Sequence, residues 1–283
     1  MHKTGILTWA LAAALTACAG AEPEPAADAE VAPGRLTVLP VSAVDWQALN
    51  PARGDQSPRA GTLWGDRHGP VPTGFLAKFV DGFSSPPHIH NATYRAVVID
   101  GLVHNDDPAA ETLWMPAGSF WTQPKGEVHI TSAQGSSNIA LVEIDEGPYL
   151  VRPPDQAFDS GERPVNIVPS NLVWVAPPGF AMDDAGPRVS YLWGRLDAVA
   201  SNGTFLKLPA GFRGEIRSDA EIFRAVVIQG PVRHAGADPG DLPPGSYFSS
   251  EGPFTHAVST EAEAVLYIRT VGQYAVVESA PPR

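Results

Sequence analysis

A single cysteine, Cys18, stands in the 283-residue chain, so neither a disulfide framework nor a cysteine-based metal site can form. Basic residues are scarce too, with 19 Lys and Arg against 31 Asp and Glu and a formal charge of −12. A nucleic-acid partner needs a basic face to meet phosphates, and this balance argues against one. Neither G-x-G-x-x-G nor a P-loop occurs, which argues against nucleotide cofactors; the serine-hydrolase elbow G-x-S-x-G is missing as well. Beyond the N-terminal segment no window sustains a helical period, and 27 Gly with 29 Pro would interrupt one. Coiled coils and helical bundles are excluded on that ground. Disorder is excluded by a hydrophobic content of 43%, enough for a packed core.

What is present begins with an address. His2 and Lys3 precede an apolar run from Ile6 to Leu15, too short for a permanent membrane helix and patterned as a secretory signal. Leu15-Thr16-Ala17-Cys18 resembles the bacterial lipobox, which implies lipidation of Cys18 after removal of residues 1–17. Residues 18–35, rich in Pro, Ala and Glu, then read as a tether. The expected location is the bacterial cell envelope, on the periplasmic side of the outer membrane, with membrane contact only through the N-terminal lipid.

The remainder is a duplication. At an offset of 129, Gly74–Val103 meets Gly203–Val232 without a gap, and eleven of 30 positions are identical. Composition alone predicts roughly two. Arg95-Ala-Val-Val-Ile99 faces Arg224-Ala-Val-Val-Ile228, each followed by a glycine, Gly101 or Gly230. Further on the offset becomes 127, pairing His129 with His256. Each half consists of short runs of Val, Ile, Phe, Trp and Tyr separated by turn residues, among them Tyr94–Ile99, Val128–Ser132 and Ile139–Ile144. The expected fold is all-β, two tandem barrels, with the first domain at residues 36–150, a linker at 151–165 and the second domain at 166–283.

Histidines mark the first half. His88 and His90 alternate, so on a strand both project from one face. His129 follows the turn Pro124-Lys125-Gly126 and can complete three imidazoles on one metal from a neighbouring strand. Glu127 and His104 read as a solvated turn charge and a loop histidine before proton-transfer groups. Of Trp114, Phe120 and Trp121, at least two read as barrel core rather than pocket lining.

These spacings match the two motifs of the cupin superfamily, G-x5-H-x-H-x3-[E]-x6-G and G-x5-P-x-G-x2-H, at all but one position. The chain thus resembles a bicupin, two jelly-roll (RmlC-like) barrels in one polypeptide. Its segments P-H-I-H-N-x2-Y-R-A-V-V-I and W-M-P-A-G-S-F-W-T-Q-P-x-G-E-V-H are similar to the DUF4437 family, and also to the zinc-binding cupin of ChrR-type anti-sigma factors. The resemblance implies that His88, His90 and His129 are ligands of one divalent transition metal, Fe, Zn or Mn. Tyr94 stands where most metal cupins place a glutamate ligand, and is expected to pack or hydrogen-bond behind the histidines rather than ligate. Gln123 is a candidate extra ligand or hydrogen-bond partner.

In the second half the same offsets place Arg217 and Asp219 on the positions of His88 and His90, Phe223 on Tyr94 and Glu251 on Pro124. An Arg–Asp pair inside a degenerate second barrel is expected there. The function expected is a metal-dependent enzyme acting on a small organic molecule in the first barrel, leaning to a dioxygenase-type oxidoreductase. The alternative is a non-catalytic metal or small-molecule sensing module. A homodimer is left open.

Overall fold

The Arg-Ala-Val-Val-Ile segments fold as strands because both of their faces are buried. In the computed structural model, which describes residues 35–182, 185–196, 200–237 and 240–279, strands alternate with turns and no α-helix occurs among the described residues. Cys18, the signal segment and nearly all of the tether lie outside them. Both barrels belong to one compact unit, Pro33–Arg283.

An eight-stranded antiparallel sheet dominates the first barrel. Its order is Val165–Ile167, Phe120–Gln123, Tyr94–Asp106, Ile130–Ile144, Thr73–Phe79, Arg59–Trp64 and Trp46–Ala48, with Met115–Pro116 also on Tyr94–Asp106. Opposite it, Ile89–His90 pairs with Val151–Arg152, and His88 bridges His129. The second barrel has a six-stranded sheet, Arg35–Leu39, Tyr247–Glu251, Ile222–Gln229, Ala264–Val271, Ser201–Leu208 and Arg188–Gly194. Its other face has five strands, Asp241–Leu242, Val232–His234, Phe254–Ser259, Arg213–Ser218 and Tyr274–Glu278. The runs Val128–Ser132 and Ile139–Ile144, separate in the sequence reading, fall largely within one strand, Ile130–Ile144, that pairs along its length with Tyr94–Asp106.

Strand alternation assigns each residue of the repeated segment to one of two cores. Ala96 and Val98 point into the first barrel, and Ala225 and Val227 into the second. Val97, Ile99, Val226 and Ile228 meet in a third core between the barrels, with Leu76, Phe120, Phe205 and Tyr267. An apolar run without alternation is what burial on both faces demands. The glycine that follows each run occupies positive φ, Gly101 at 76° where the register shifts and Gly230 at 65° just beyond its strand. A Cβ there would lie 2.1 Å from Asn138 Oδ1 or 2.2 Å from the Glu263 carbonyl, so only glycine passes.

The first strand of each repeat is exchanged. Arg35–Leu39 pairs with Tyr247–Glu251 of the second barrel, whereas Val165–Ile167 pairs with Phe120–Gln123 of the first. Leu36 to Leu39 therefore completes the second barrel's sheet rather than that of the domain whose sequence range it opens.

The barrels differ in how full they are. Across three adjacent strands the first carries Ala60, Ala77 and Ala140, where the register places Val189, Leu206 and Leu266 in the second. Ala77 of that row lines a cavity of about 470 Å³ in the first barrel, within the range of small-molecule sites.

Candidate metal centre

His88 and His129 exchange both backbone hydrogen bonds, at 3.1 and 3.0 Å, which sets their side chains on facing strands. Gly126, at φ 79°, turns the chain so that its N–H reaches the His90 carbonyl at 2.9 Å. The three imidazoles converge, with one ring nitrogen from each lying within 4.8 Å of the other two.

Their tautomers follow from their partners. His88 Nδ1 faces the Pro86 carbonyl at 2.9 Å, His90 Nδ1 the Leu150 carbonyl at 3.0 Å and His129 Nδ1 the Glu127 carbonyl at 3.2 Å. A carbonyl only accepts, so each Nδ1 carries the proton and each Nε2 keeps its lone pair. Burial, reinforced for His90 and His129 by neighbouring imidazoles, lowers all three pKa values, that of His129 to about 3. Three neutral imidazoles with carbonyl-anchored Nδ1–H groups and converging lone pairs form the donor set that a divalent transition metal requires.

Tyr94 lies beside this cluster. Its hydroxyl donates to Asn105 Oδ1 at 2.8 Å and stands 3.5 Å from His129 Nε2. Burial pushes the phenol well above its ordinary pKa, so it remains a neutral donor. Gln123 is buried with both ends of its amide engaged: Oε1 accepts from Asn105 Nδ2 at 2.9 Å, and Nε2 donates to the Glu127 carbonyl at 3.3 Å. Thr131 Oγ1 also donates to Asn105 Oδ1, at 2.8 Å. Asn105 is thus the node that ties Tyr94, Gln123 and Thr131 together, a role that nothing in the sequence distinguishes from an ordinary strand asparagine.

The cavity adjoins His88, His90 and Tyr94, and Trp121 lines it. Phe120 instead packs in the core between the barrels, and Trp114 is partly exposed. His104 is buried within a strand, its Nδ1 accepting from the Leu113 N–H at 3.3 Å, rather than sitting in a loop. Glu127 opens onto a different, acidic depression beside Phe158 and Arg163.

Sequence reasoning overlooked Tyr149, at the end of the first domain's range. Its ring stacks on His90 at 4.3 Å and its hydroxyl lies 3.1 Å from His90 Nε2. That hydroxyl donates to the lone pair a cation would use. Tyr149→Phe removes the competition, which is worth about 1 kcal/mol, so metal affinity is expected to rise about fivefold. Chelator-competition titration measures it, and weaker binding in the variant would make the hydroxyl a support of the centre instead of a competitor.

The second barrel departs from the gap-free alignment at its decisive positions. His129 faces His88, but His256 faces Ile216, not Arg217. The extra residue in Ser85-Pro86-Pro87 slips the offset by one, and a one-residue slip exchanges the faces of a strand. Ile216 and Ser218 therefore point inward, while Arg217 is exposed on Glu215 at 2.7 Å and Asp219 is exposed. The expected internal Arg–Asp pair does not form. Phe223 and Ser250 do hold the places of Tyr94 and Gln123.

His256 is held in a different way. The Gly236 N–H donates to His234 Nδ1 at 2.9 Å, so His234 Nε2 is protonated and donates to His256 Nδ1 at 3.1 Å. His256 Nε2 then donates to Ser250 Oγ at 3.1 Å. No imidazole lone pair is left over, and Phe223 stacks on the ring at 4.8 Å. Burial keeps both rings neutral, with pKa values lowered to about 4 for His234 and about 3 for His256.

The chain matches the family model described as a domain of unknown function, DUF4437, over residues 37–277. No curated protein matches it. A candidate dioxygenase from Nostoc punctiforme is similar in structure, with a TM-score of 0.64 and 13% identity over 88% of each chain. Salicylate 1,2-dioxygenase from Pseudoaminobacter salicylatoxidans, solved with gentisate, has a TM-score of 0.55 and 15% identity over 88% of this chain and 86% of its own. Oxalate decarboxylase from Bacillus subtilis, a protein with Mn(II) centres, has a TM-score of 0.52 and 12% identity over 90% and 81%. At such identities these likenesses concern the fold, a pair of jelly-roll barrels. The chain belongs to the DUF4437 family and is folded as a bicupin.

Proposed function

We propose that the first barrel is a mononuclear metal-dependent enzyme of the dioxygenase type, acting on a small organic molecule held in its cavity. The observation that carries this reading is the set of three neutral imidazoles, each anchored through Nδ1 to a carbonyl, whose ring nitrogens converge beside a cavity of about 470 Å³. His88, His90 and His129 would hold the ion, Fe, Zn or Mn. Such an ion supplies Lewis acidity or, if iron, redox chemistry with dioxygen.

The chain's own residues do the rest. Phe75, Tyr94, Trp121 and Val142 exclude water from the cavity wall. The neutral Tyr149 hydroxyl stands beside the imidazoles with a proton to donate, and the Asn105 network fixes Tyr94 against His129. Three protein ligands leave coordination positions for substrate and water, as catalytic sites require. The second barrel, whose interior is packed with Val189, Leu206, Phe223, Phe248 and Leu266, would act as a packing partner. The N-terminal segment supports an envelope lipoprotein anchored through Cys18.

Metal analysis of tag-free protein purified without chelator tests the reading. Iron near one per chain, with oxygen uptake on addition of a substrate, is expected. Tight zinc without turnover of any small organic acid, amide or phenol would favour a sensing module.

A further inference from the structure

We infer that the cavity selects an organic carboxylate, with an apolar, aromatic-sized body, and that Arg67 is the residue that recognises it. This rests on the proposed use of the cavity as the substrate site, and deepens it.

The first observation is a buried cation whose sequence neighbour Asp66 acts on it electrostatically without forming a direct ion pair. Arg67 is 7% exposed and lines the cavity. Its Nε donates to Thr62 Oγ1 at 3.3 Å and its Nη2 to Gln47 Oε1 at 3.2 Å, both neutral acceptors. No carboxylate lies within ion-pair distance of it among the described residues. Arg269, equally buried, shows what the fold does with a guanidinium it means to keep neutralised: Glu143 stands at 3.2 Å and Asp145 at 2.7 Å. A buried cation left unpaired is costly, and a guanidinium stays charged at every accessible pH.

The second observation is the lining itself. In a chain of net charge −12, the cavity wall contains Arg67 and Arg53 and not one Asp or Glu. Arg53 stands 5.0 Å over the Phe83 ring, on the same wall, with neutral partners only. The three histidines are neutral, so nothing in the cavity compensates these cations.

Position supplies the third. The guanidinium lies 5.6 Å over the Phe75 ring, Phe75 meets Tyr149 edge-on at 5.3 Å, and Tyr149 stacks on His90. The Tyr149 N–H also bonds to the Arg67 carbonyl at 2.9 Å. A wall of aromatic faces thus runs from the guanidinium to the histidine cluster. A planar fork of donors fits a carboxylate bidentately, whereas a phosphate dianion would call for further cations.

Benzoate, benzamide and phenyl phosphate, titrated calorimetrically into the full chain, test this. Wild type is expected to bind benzoate at least tenfold more tightly than benzamide, a comparison that needs no variant. Arg67→Gln should erase that preference, and Arg67→Lys should restore part of it. The same titration in His88→Ala/His90→Ala separates the two claims, because the preference persists there if Arg67 carries it, whether or not wild type holds a metal. Equal binding of benzoate and benzamide by wild type, loss of the preference in the histidine variant, or tighter binding of phenyl phosphate would each overturn the assignment.

Discussion

His129→Ala is expected to lower metal affinity by at least a hundredfold, with His88→Ala and His90→Ala close behind. Each contributes a nitrogen donor whose orientation is fixed by a carbonyl on Nδ1, and no other histidine, cysteine or carboxylate joins the cluster among the described residues. Gln123 cannot substitute, because both ends of its amide are already engaged. The barrel should survive the loss, since removing one buried imidazole frees one backbone carbonyl and leaves space that water can enter. In the second barrel His256→Ala should leave metal content unchanged, because both of its ring nitrogens are occupied by His234 and Ser250. Metal per chain, measured after dialysis against a weak chelator, distinguishes the cases. Full occupancy in His88→Ala/His90→Ala, or a second ion that departs with His256, would sink this ligand set.

The trio was readable in the sequence because its geometry is local. Two histidines one residue apart on an extended segment share a face, and the Pro-Lys-Gly turn before His129 returns the chain to it. The duplication was readable for the same kind of reason: a strand buried on both faces tolerates little besides Ala, Val and Ile, so Arg95–Ile99 and Arg224–Ile228 remain alike. Long-range placement was not. Tyr149 reaches His90 across 59 residues, from a Gly147-Pro148 segment that carries no site motif. Strand exchange leaves no local trace either, since Arg35–Leu39 carries the same alternation whichever barrel it completes. The Arg217 alignment failed because identity counting over Gly74–Val103 rewarded an ungapped match. Two compensating one-residue slips on either side of the ligand positions cost it nothing. Ala77 against Leu206 was visible, but only the sheet register shows that Ala60 and Ala140 extend it into a row.

Glu143→Ala is expected to destabilise the chain by about 3–5 kcal/mol, the cost of stripping one partner from a buried ion pair. Glu143 is 1% exposed and lies where the two barrels meet. Its Oε1 accepts from the Tyr267 hydroxyl at 2.7 Å and faces Arg269 at 3.2 Å and Arg95 at 3.9 Å. Arg95 in turn stacks 3.7 Å over Trp193 of the second half, while Arg224, its repeat counterpart, lies 5.1 Å over Trp64 of the first. Removing the carboxylate leaves two guanidinium groups with Asp145 alone. Burial opposes ionisation of Asp145, but Arg269 and Arg95 together hold its pKa below the ordinary carboxylate value, so it is already committed to both. The loss should appear as a fall of about 10 °C in the unfolding midpoint, at about 2–4 °C per kcal/mol for a unit of this size. Glu143→Gln, which keeps an acceptor for Tyr267, should cost less. Glu143 bonds to Tyr267, Arg269 and Arg95 and to none of the three histidines, so metal per folded chain should not change in either variant. A shift below about 1 kcal/mol for Glu143→Ala, in the range of exposed pairs, would mean that water reaches this junction and that apolar packing alone joins the barrels.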